Sequence, residues 1–316
     1  MSAFTLFKRG NPCPVCDSST GKCRERDELI LCMNGTNEIA VPGYKFIGLT
    51  KDGTWGQWVV DNQREWTEQQ RQHWQQERQA KQAQRLEAEK TRNAEAMPAG
   101  ERDRHYRQLL SQLTLHSTDR ADLMRRGVTD EQIKRYGVKS VERWQKLTCE
   151  FPCDLPGVGL DGRSLSNFYV GYLVPIQSAA GEITGFQIAN RNRTGDEPKY
   201  PWLTSVNKNR PNGASPKLPC GELPLAVAFP ANLDPSKLGQ VGLCEGTGIK
   251  PRLAADRLGI PVIGASGGNF AASSQLLKEY LQQLGSKTVT LYPDAEVIQN
   301  PQTMRQYRMV WELLQE

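Results

Sequence analysis

Apolar and polar positions fall along this chain in blocks of different period. Toward the carboxyl end, the apolar run Val241-Gly242-Leu243-Cys244 closes on Glu245-Gly246, and Thr288-Val289-Thr290-Leu291-Tyr292-Pro293 closes on Asp294-Ala295-Glu296. Short runs of this kind bounded by turn residues predict strands. Between them lie a helical stretch over Ile249–Leu258, a short strand over 261–263, a Gly-rich turn over 264–268 and a second helix over 271–284; a third helix, over 303–314, follows the acidic pair. Strands alternating with helices of this length predict crossover units and a parallel sheet, in the order β, α, β, α, β, α. Pro293 has no backbone donor and so fits at a strand end or an edge.

Upstream the pattern changes twice. From 61 to 107 the residues are mostly Gln, Arg, Glu, Lys and Ala, with scarcely an apolar side chain after Trp74. Good helix propensity without a face to bury predicts an exposed helical spacer, placed at 61–100. Leu109, Leu110, Leu113, Leu115, Leu123 and Met124 then restore apolar spacing, Gly127 fits a helix end and Thr129 the N-cap of the next helix. Strands are predicted over 172–176 and 183–188, joined by a turn at 179–182. Residues 101–225 therefore read as a mixed helical and β subdomain, and 226–316 as the parallel-sheet domain.

At 316 residues the chain has room for two or three compact units. No segment approaches the roughly 20 apolar residues of a membrane span. Met1-Ser2-Ala3-Phe4 shows no charged region leading into a long apolar core, so a cytoplasmic location with no membrane partner is expected. A net charge of +5 is modest, but its placement is not even: between 186 and 217, Arg191, Arg193, Lys199, Lys208, Arg210 and Lys217 face only Asp196 and Glu197. That concentration changes the picture of the middle segment from a plain β hairpin to one with a basic rim.

Eight cysteines in such a chain read as metal ligands or buried thiols rather than disulfides. Cys13-Pro14-Val15-Cys16 has the knuckle spacing of a zinc ribbon, with two thiolates from one tight turn at adjacent tetrahedral positions, and Cys23 and Cys32 would close the site. Four thiolates leave no open coordination position. Zn2+ here would be structural, holding together a module over 1–60 too small to bury a core, with Tyr44, Phe46, Trp55 and Trp58 on short strands around it. Cys149, Cys153, Cys220 and Cys244 are scattered and read as ordinary thiols.

The ordered set near the carboxyl end, Glu-Gly after the first strand and acid-x-acid after the third, resembles the TOPRIM fold of bacterial DnaG-like primases, topoisomerases and related nucleases. The wording Glu245-Gly246-Thr247-Gly248-Ile249-Lys250-Pro251, with Ile263-Gly264-Ala265-Ser266-Gly267-Gly268-Asn269-Phe270, resembles plasmid-encoded primase and primase-helicase replication proteins more closely. Val174-Pro175-Ile176, Gly181, Ile183, Gly185-Phe186-Gln187, Arg191 and Pro198-Lys199-Tyr200 are similar to the basic subdomain of such primases.

The resemblance implies an α/β chain made of a zinc ribbon, a helical spacer, a mixed basic subdomain and a TOPRIM-like catalytic domain. It implies that Glu245, Asp294 and Glu296 hold Mg2+ or Mn2+, because carboxylates at the carboxyl ends of parallel strands converge on one crevice. Lys250, Arg191 and Lys199, with Arg193 as a neighbour, would contact nucleotide or template. In the plasmid group the cysteine module is thought to read template, which puts forward Arg24, Arg26 and Lys45. Where the family usually has two aspartates, the second position here is Glu296. The expected activity is primer synthesis in plasmid or phage replication, with single-stranded DNA, nucleoside triphosphates and a replicative helicase, in cis or in trans, as partners. A TOPRIM nuclease using the same acids and a non-catalytic DNA-binding initiator are the alternatives. The chain stops after the helix following Glu296, where the fold ordinarily adds a strand. It is therefore expected to be an amino-terminal portion of a longer replication protein, or to complete its sheet in another way.

Overall fold

A computed structural model describes residues 4–8, 11–36, 41, 43–61, 76, 80, 83–84, 87–195, 197–294 and 301–315. It is a mixed α/β structure with several sheets, divided into a unit over Met1–Ala83 and a unit over Gln84–Glu316.

The first unit is an antiparallel sheet of β1 (Thr5–Lys8), β2 (Thr20–Arg26), β3 (Leu29–Cys32), β4 (Tyr44–Leu49) and β5 (Gly56–Val60), in the order β1-β2-β3-β5-β4. Asp27 makes the tight turn between β2 and β3 with φ +55°, a conformation that Asp tolerates because its short polar side chain bonds locally. The core is small: Phe7, Ile30 and Trp58 pack with Cys13, Cys23 and Cys32. Trp58 is fully buried, donates from Nε1 to the Gly35 carbonyl (2.8 Å) and packs against Phe46 with ring centroids 5.2 Å apart.

Most of the predicted spacer lies outside the described residues; its last stretch, 87–94, is helical. The second unit continues with α1 (Ala99–Ser111), α2 (Ser117–Arg125) and α3 (Asp130–Tyr136). Thr129 caps α3 through a reciprocal capping box with Gln132, and Gly137 ends it in the left-handed conformation (φ +66°). The three-stranded antiparallel sheet β6 (Lys139–Val141), β7 (Gly171–Gln177) and β8 (Ile183–Asn190) follows. Tyr106 and Leu109 of α1 pack onto Leu173 and Phe186 of this sheet. Arg102 of α1 is wholly buried yet satisfied, donating to the carbonyls of Met97 (2.8 Å), Thr184 (3.1 Å), Pro216 (2.8 Å) and Lys217 (2.5 Å).

The last sheet is built from β9 (Ala226–Ala228), β10 (Gln240–Glu245), α4 (Ile249–Leu258), β11 (Val262–Ala265), α5 (Ser274–Gln283), β12 (Thr288–Tyr292) and α6 (Pro301–Gln315). Its order is β12-β10-β11-β9, with β12, β10 and β11 parallel and β9 antiparallel to β11. Val241 to Cys244 are buried on both faces, as expected of an inner parallel strand covered by helices. The helix predicted from 271 forms only from Ser274. It is preceded by 3-10 turns at Ser266–Gly268 and Phe270–Ser273: Gly267 and Gly268 take φ +61° and +69°, and Ser273, at φ −134° and ψ 48°, leaves the helical path just before Ser274. Among the described residues no helix is long and apolar enough to cross a membrane.

Candidate metal centres and phosphate crevice

In the first unit the sulfur atoms of Cys13, Cys16, Cys23 and Cys32 lie within 4.8 Å of one another. The loop before β2 brings Cys13 and Cys16 to the ends of one turn, in which the Asp17 N–H bonds the Cys13 carbonyl (2.7 Å). Cys16 and Cys23 are 3.6 Å apart and Cys23 and Cys32 3.9 Å. Four sulfurs bound tetrahedrally to Zn2+ at about 2.3 Å stand about 3.8 Å from each other, so the cage has the size of the ion. Backbone N–H groups of Gly35 (3.0 Å to Cys32) and Met33 (3.5 Å to Cys23) point at the sulfurs, as thiolates require. Without a cation the thiols cannot all ionise: the hydrogen bond from Cys32 holds Cys13 down to about 5, the same bond pushes Cys32 up, and burial pushes Cys23 up to about 11. Arg24 and Arg26 lie against aromatic rings, Arg24 at 4.3 Å from the Trp55 centroid and Arg26 at 4.6 Å from that of Phe4.

In the second unit, Cys244 of β10 and Tyr292 of β12 are in register. Glu245 and Asp294 therefore follow at the same, carboxyl edge of neighbouring parallel strands. Glu296 lies outside the described residues. After Glu245 the chain turns at Gly246 (φ +89°), whose N–H bonds the Ala265 carbonyl (2.7 Å), and enters α4. This turn crosses β11 so closely that a Cβ on Gly264 would stand 2.1 Å from the Gly246 carbonyl oxygen, so only glycine fits there. Lys250, in the first turn of α4, forms an ion pair with Asp294, both side chains about half exposed. The Thr247 hydroxyl donates to Gln187 of β8, which in turn donates to the Ser266 hydroxyl (3.3 Å), tying the loop after Glu245 and the Gly-rich turn after β11 to the antiparallel sheet.

Tyr307 of α6 reaches the same edge and was not foreseen from the sequence. A Cβ on Gly268 would stand 3.8 Å from both Glu245 Cγ and Tyr307 Cε2, so the two side chains flank that glycine. Among the described residues the buried Tyr307 hydroxyl has no hydrogen-bond partner. Burial, with a contribution from the Glu245 charge, pushes its pKa up to about 12, so it is a proton donor at neutral pH. Two carboxylates, oxygen donors only, and an orphaned hydroxyl beside one of them fit a hydrated hard divalent cation such as Mg2+, which retains several waters and needs one or two carboxylates.

One cavity adjoins this edge and a second adjoins the first. One, about 400 Å³, is lined by Cys244, Lys250, Arg257, Tyr292, Arg126 and Tyr200. The other, about 340 Å³, shares Arg126 and Tyr200 and continues to Asp119, Arg191, Arg193 and Lys199. The shared pair is joined by a bond from Arg126 Nη1 to the Tyr200 hydroxyl (3.0 Å). Arg191 is clamped: its Nε and Nη2 donate to the buried carboxylate of Asp119 (2.8 and 2.5 Å). Arg193 donates to the Glu197 carbonyl (2.8 Å) and Lys199 lies 5.6 Å from the Tyr200 ring centroid, both keeping charge at the rim. Arg126 was also missed, because a basic residue at the end of a helix reads as a dipole complement and nothing in its spacing marks the contact with Tyr200, 74 residues on.

No protein-family model matches this chain, and neither does any curated protein sequence. Among solved structures it is similar to a structure of the DnaG catalytic core, at 17% identity and a TM-score of 0.36, covering 58% of this chain and 56% of that one. It is similar to the DnaG primase catalytic domain bound to ssDNA, at 15% identity and a TM-score of 0.37, covering 71% and 80%. It is also similar to the zinc-binding and RNA polymerase domains of the Aquifex aeolicus primase, at 12% identity and a TM-score of 0.33, covering 62% and 56%.

Proposed function

We propose that this protein is a primase of the TOPRIM type, related to those of plasmid and phage replication, which joins nucleotides into short primers on a single-stranded DNA template. The observation that carries the reading is the placement of Glu245 and Asp294 at one edge of adjacent parallel strands, beside a run of cavities lined by Lys250, Arg126, Lys199 and Arg193.

Primer extension is an in-line attack of a 3′-hydroxyl on the α-phosphate of a nucleoside triphosphate, with pyrophosphate leaving. Bound Mg2+ or Mn2+ neutralises charge on the triphosphate and acidifies the attacking hydroxyl. Glu245 and Asp294, with Glu296 from the following segment, would hold it. Lys250, paired with Asp294, would offer its charge to a phosphate oxygen of the substrate. Lys199 and Arg193 bind phosphates of the triphosphate or the template as charge-assisted donors. Arg191 acts differently from the expectation of a direct phosphate grip: its fork is already filled by Asp119, so it positions the turn after β8 that carries Arg193. Zn2+ on the four cysteines is structural. A helicase, attached or recruited, would open the duplex ahead of the enzyme.

Incubation with single-stranded DNA, labelled nucleoside triphosphates and Mn2+ is expected to yield labelled oligomers, lost by roughly a hundredfold or more in Asp294→Asn and in Glu245→Gln, since each removes an anionic ligand of the cation that would neutralise the reacting phosphate. Shortened template without incorporated label would make the protein a nuclease. Tight DNA binding with neither product would make it an initiator.

A further inference from the structure

A cavity of about 610 Å³ in the second unit stands apart from the acidic edge, and the chemistry above leaves it unused. Its walls are the end of the spacer over 89–96, the buried Arg102 of α1, Cys153 with Asp154, and the loop over 206–217. Lys217 of the loop pairs with Glu89 of the spacer, and a Cβ on Gly221 would stand 2.9 Å from the Asn93 amide nitrogen, so loop and spacer meet beside it. Thr184, whose carbonyl accepts from Arg102, lies near the start of β8, and Arg191 follows that strand's end. The chain between them, at about 3.3 Å per residue, puts the cavity on the order of 20 Å from the rim formed by Arg191, Arg193 and Lys199.

Three guanidiniums line the cavity, and among the described residues none of them is in an ion pair. Arg102 is wholly buried, and the four carbonyls to which it donates solvate its charge without neutralising it. Those bonds occupy four of its five N–H groups and leave one, on Nη2, without a partner among the described residues. Burial lowers its pKa, as befits a cation short of counter-charge. Arg210, half-buried, likewise donates to carbonyls, those of Val158 (3.1 Å) and Cys153 (2.9 Å). Arg92, exposed, uses only its Nε, on the Ala88 carbonyl (3.2 Å). Glu95 and Asp154 line the same cavity, yet among the described residues neither closes a pair with these arginines. Positive charge without compensation therefore stands at three depths: floor, wall and rim.

An anion is what such a cavity lacks. Planar guanidiniums hold a phosphate through paired N–H bonds, and one entering here would give Arg102 both a counter-charge and an acceptor for its fifth N–H. The volume suits a ligand of cofactor size, more than a lone phosphate fills. Glu95 and Asp154 would repel further phosphate and accept instead from hydroxyl or amino groups. We infer that this cavity is a second, non-catalytic binding site for a phosphorylated small molecule of nucleotide size, with its phosphates on Arg92, Arg102 and Arg210. Filling it would fasten the spacer's end to the loop, through Arg92 on one side and Arg210 on the other. The inference stands apart from primer synthesis, because no residue of the acidic edge or its cavities takes part.

The test is amide hydrogen exchange of the full chain as purified, in buffer without added Mg2+ or Mn2+, titrated in parallel with inorganic tripolyphosphate and with ATP. Either probe is expected to slow exchange over 87–96 and 211–217. Half-saturation by ATP at the lower concentration supports the site with a nucleotide as its ligand, and equal half-saturation supports it with the phosphate chain alone as the ligand. Arg92 is an exposed helical residue, a position that alanine favours, so Arg92→Ala should keep the parent's melting temperature and need roughly tenfold more of either probe. Asp154→Asn takes a like charge from the wall and should tighten tripolyphosphate by roughly twofold or more. Lys199→Ala, in the other cavity, should leave exchange over these two segments as it is in the parent. Exchange over 87–96 and 211–217 that neither probe slows overturns the site. So does slowing that is equal in the parent and in Arg92→Ala, and so does slowing confined to 246–257, which would put the anion at the acidic edge alone.

Discussion

A buried hydroxyl with no partner is an unusual thing for a folded protein to keep, and among the described residues Tyr307 keeps one beside Glu245. Leaving a hydroxyl unpaired in the interior costs about 1–3 kcal/mol, a cost that a ligand oxygen at the crevice would remove. Tyr307→Phe deletes the orphan group and keeps the ring that packs on the turn at Gly268. In chelator, the variant is expected to be at least as stable as the parent toward urea, by up to about 1 kcal/mol, while its apparent affinity for Mn2+ or nucleoside triphosphate falls. A variant less stable than the parent in chelator would mean that the hydroxyl already has a partner, and the site would lose its orphan. Lys250→Ala is the contrasting case: its pair with Asp294 is about half exposed, so its removal should change stability by less than about 1 kcal/mol and be felt in activity instead. Glu245, Asp294 and Lys250 could be named from the sequence because acids after apolar runs mark strand ends. Tyr307 could not, because an aromatic on an amphipathic helix looks the same whether it faces a core or a crevice.

Between elements, one carboxylate does the joining. Asp256 of α4 accepts from Gln132 (2.8 Å), Tyr136 (2.6 Å) and Arg135 of α3, and from the Ala231 N–H (2.9 Å). Burial raises its pKa, but the bonds from Tyr136, Ala231, Gln132 and Arg135 outweigh burial and hold it below the usual carboxylate range. A carboxyl whose folded pKa is depressed contributes stability that is fully present above its unfolded value of about 3.9 and is lost as pH falls through the folded value. Asp256→Asn should therefore cost about 2 kcal/mol at neutral pH and flatten the acid limb of the stability profile below about pH 5. Urea midpoints of parent and variant across that range check it, and parallel acid limbs would refute it. The contact with α3 was illegible in the sequence, since Gln132, Arg135 and Tyr136 lie 120 or more residues from Asp256. The local devices were legible: Thr129 and Gln132 spell a capping box, and β7, β8, β10 and α4 follow from periodicity. β9 was not, because Ala-Val-Ala is too short to show a period, and its place at the edge of β11 is set by pairing alone.

Across the whole chain, each of the two units draws its own internal cohesion from a different source. The second unit has extended apolar clusters, one running from α1 through β7 and β8 and another through β10, β11, α5 and α6. The first has Phe7, Ile30, Trp58 and its cysteines, too little apolar surface for five short strands. Its cohesion must come from the cage, where Cys13 and Cys16 anchor the loop before β2 while Cys23 and Cys32 sit on β2 and β3. Structural Zn2+ binding is itself folding free energy in modules of this size. Purified protein is accordingly expected to carry one zinc per chain by elemental analysis. Stripping it with a strong chelator should abolish the amide-exchange protection of β2, β3 and β5 and expose Trp58 to solvent. Protection of α1, β7, β8 and β10 should be unchanged, because no thiolate cage contributes to their packing. Acidification should release the metal as protons compete for the thiolates, and readdition of Zn2+ at neutral pH should restore protection of the three strands. Protein without zinc, or a chelated first unit that exchanges as slowly as the untreated one, would show that the four sulfurs are a packed thiol cluster and that the small sheet stands on its apolar core alone.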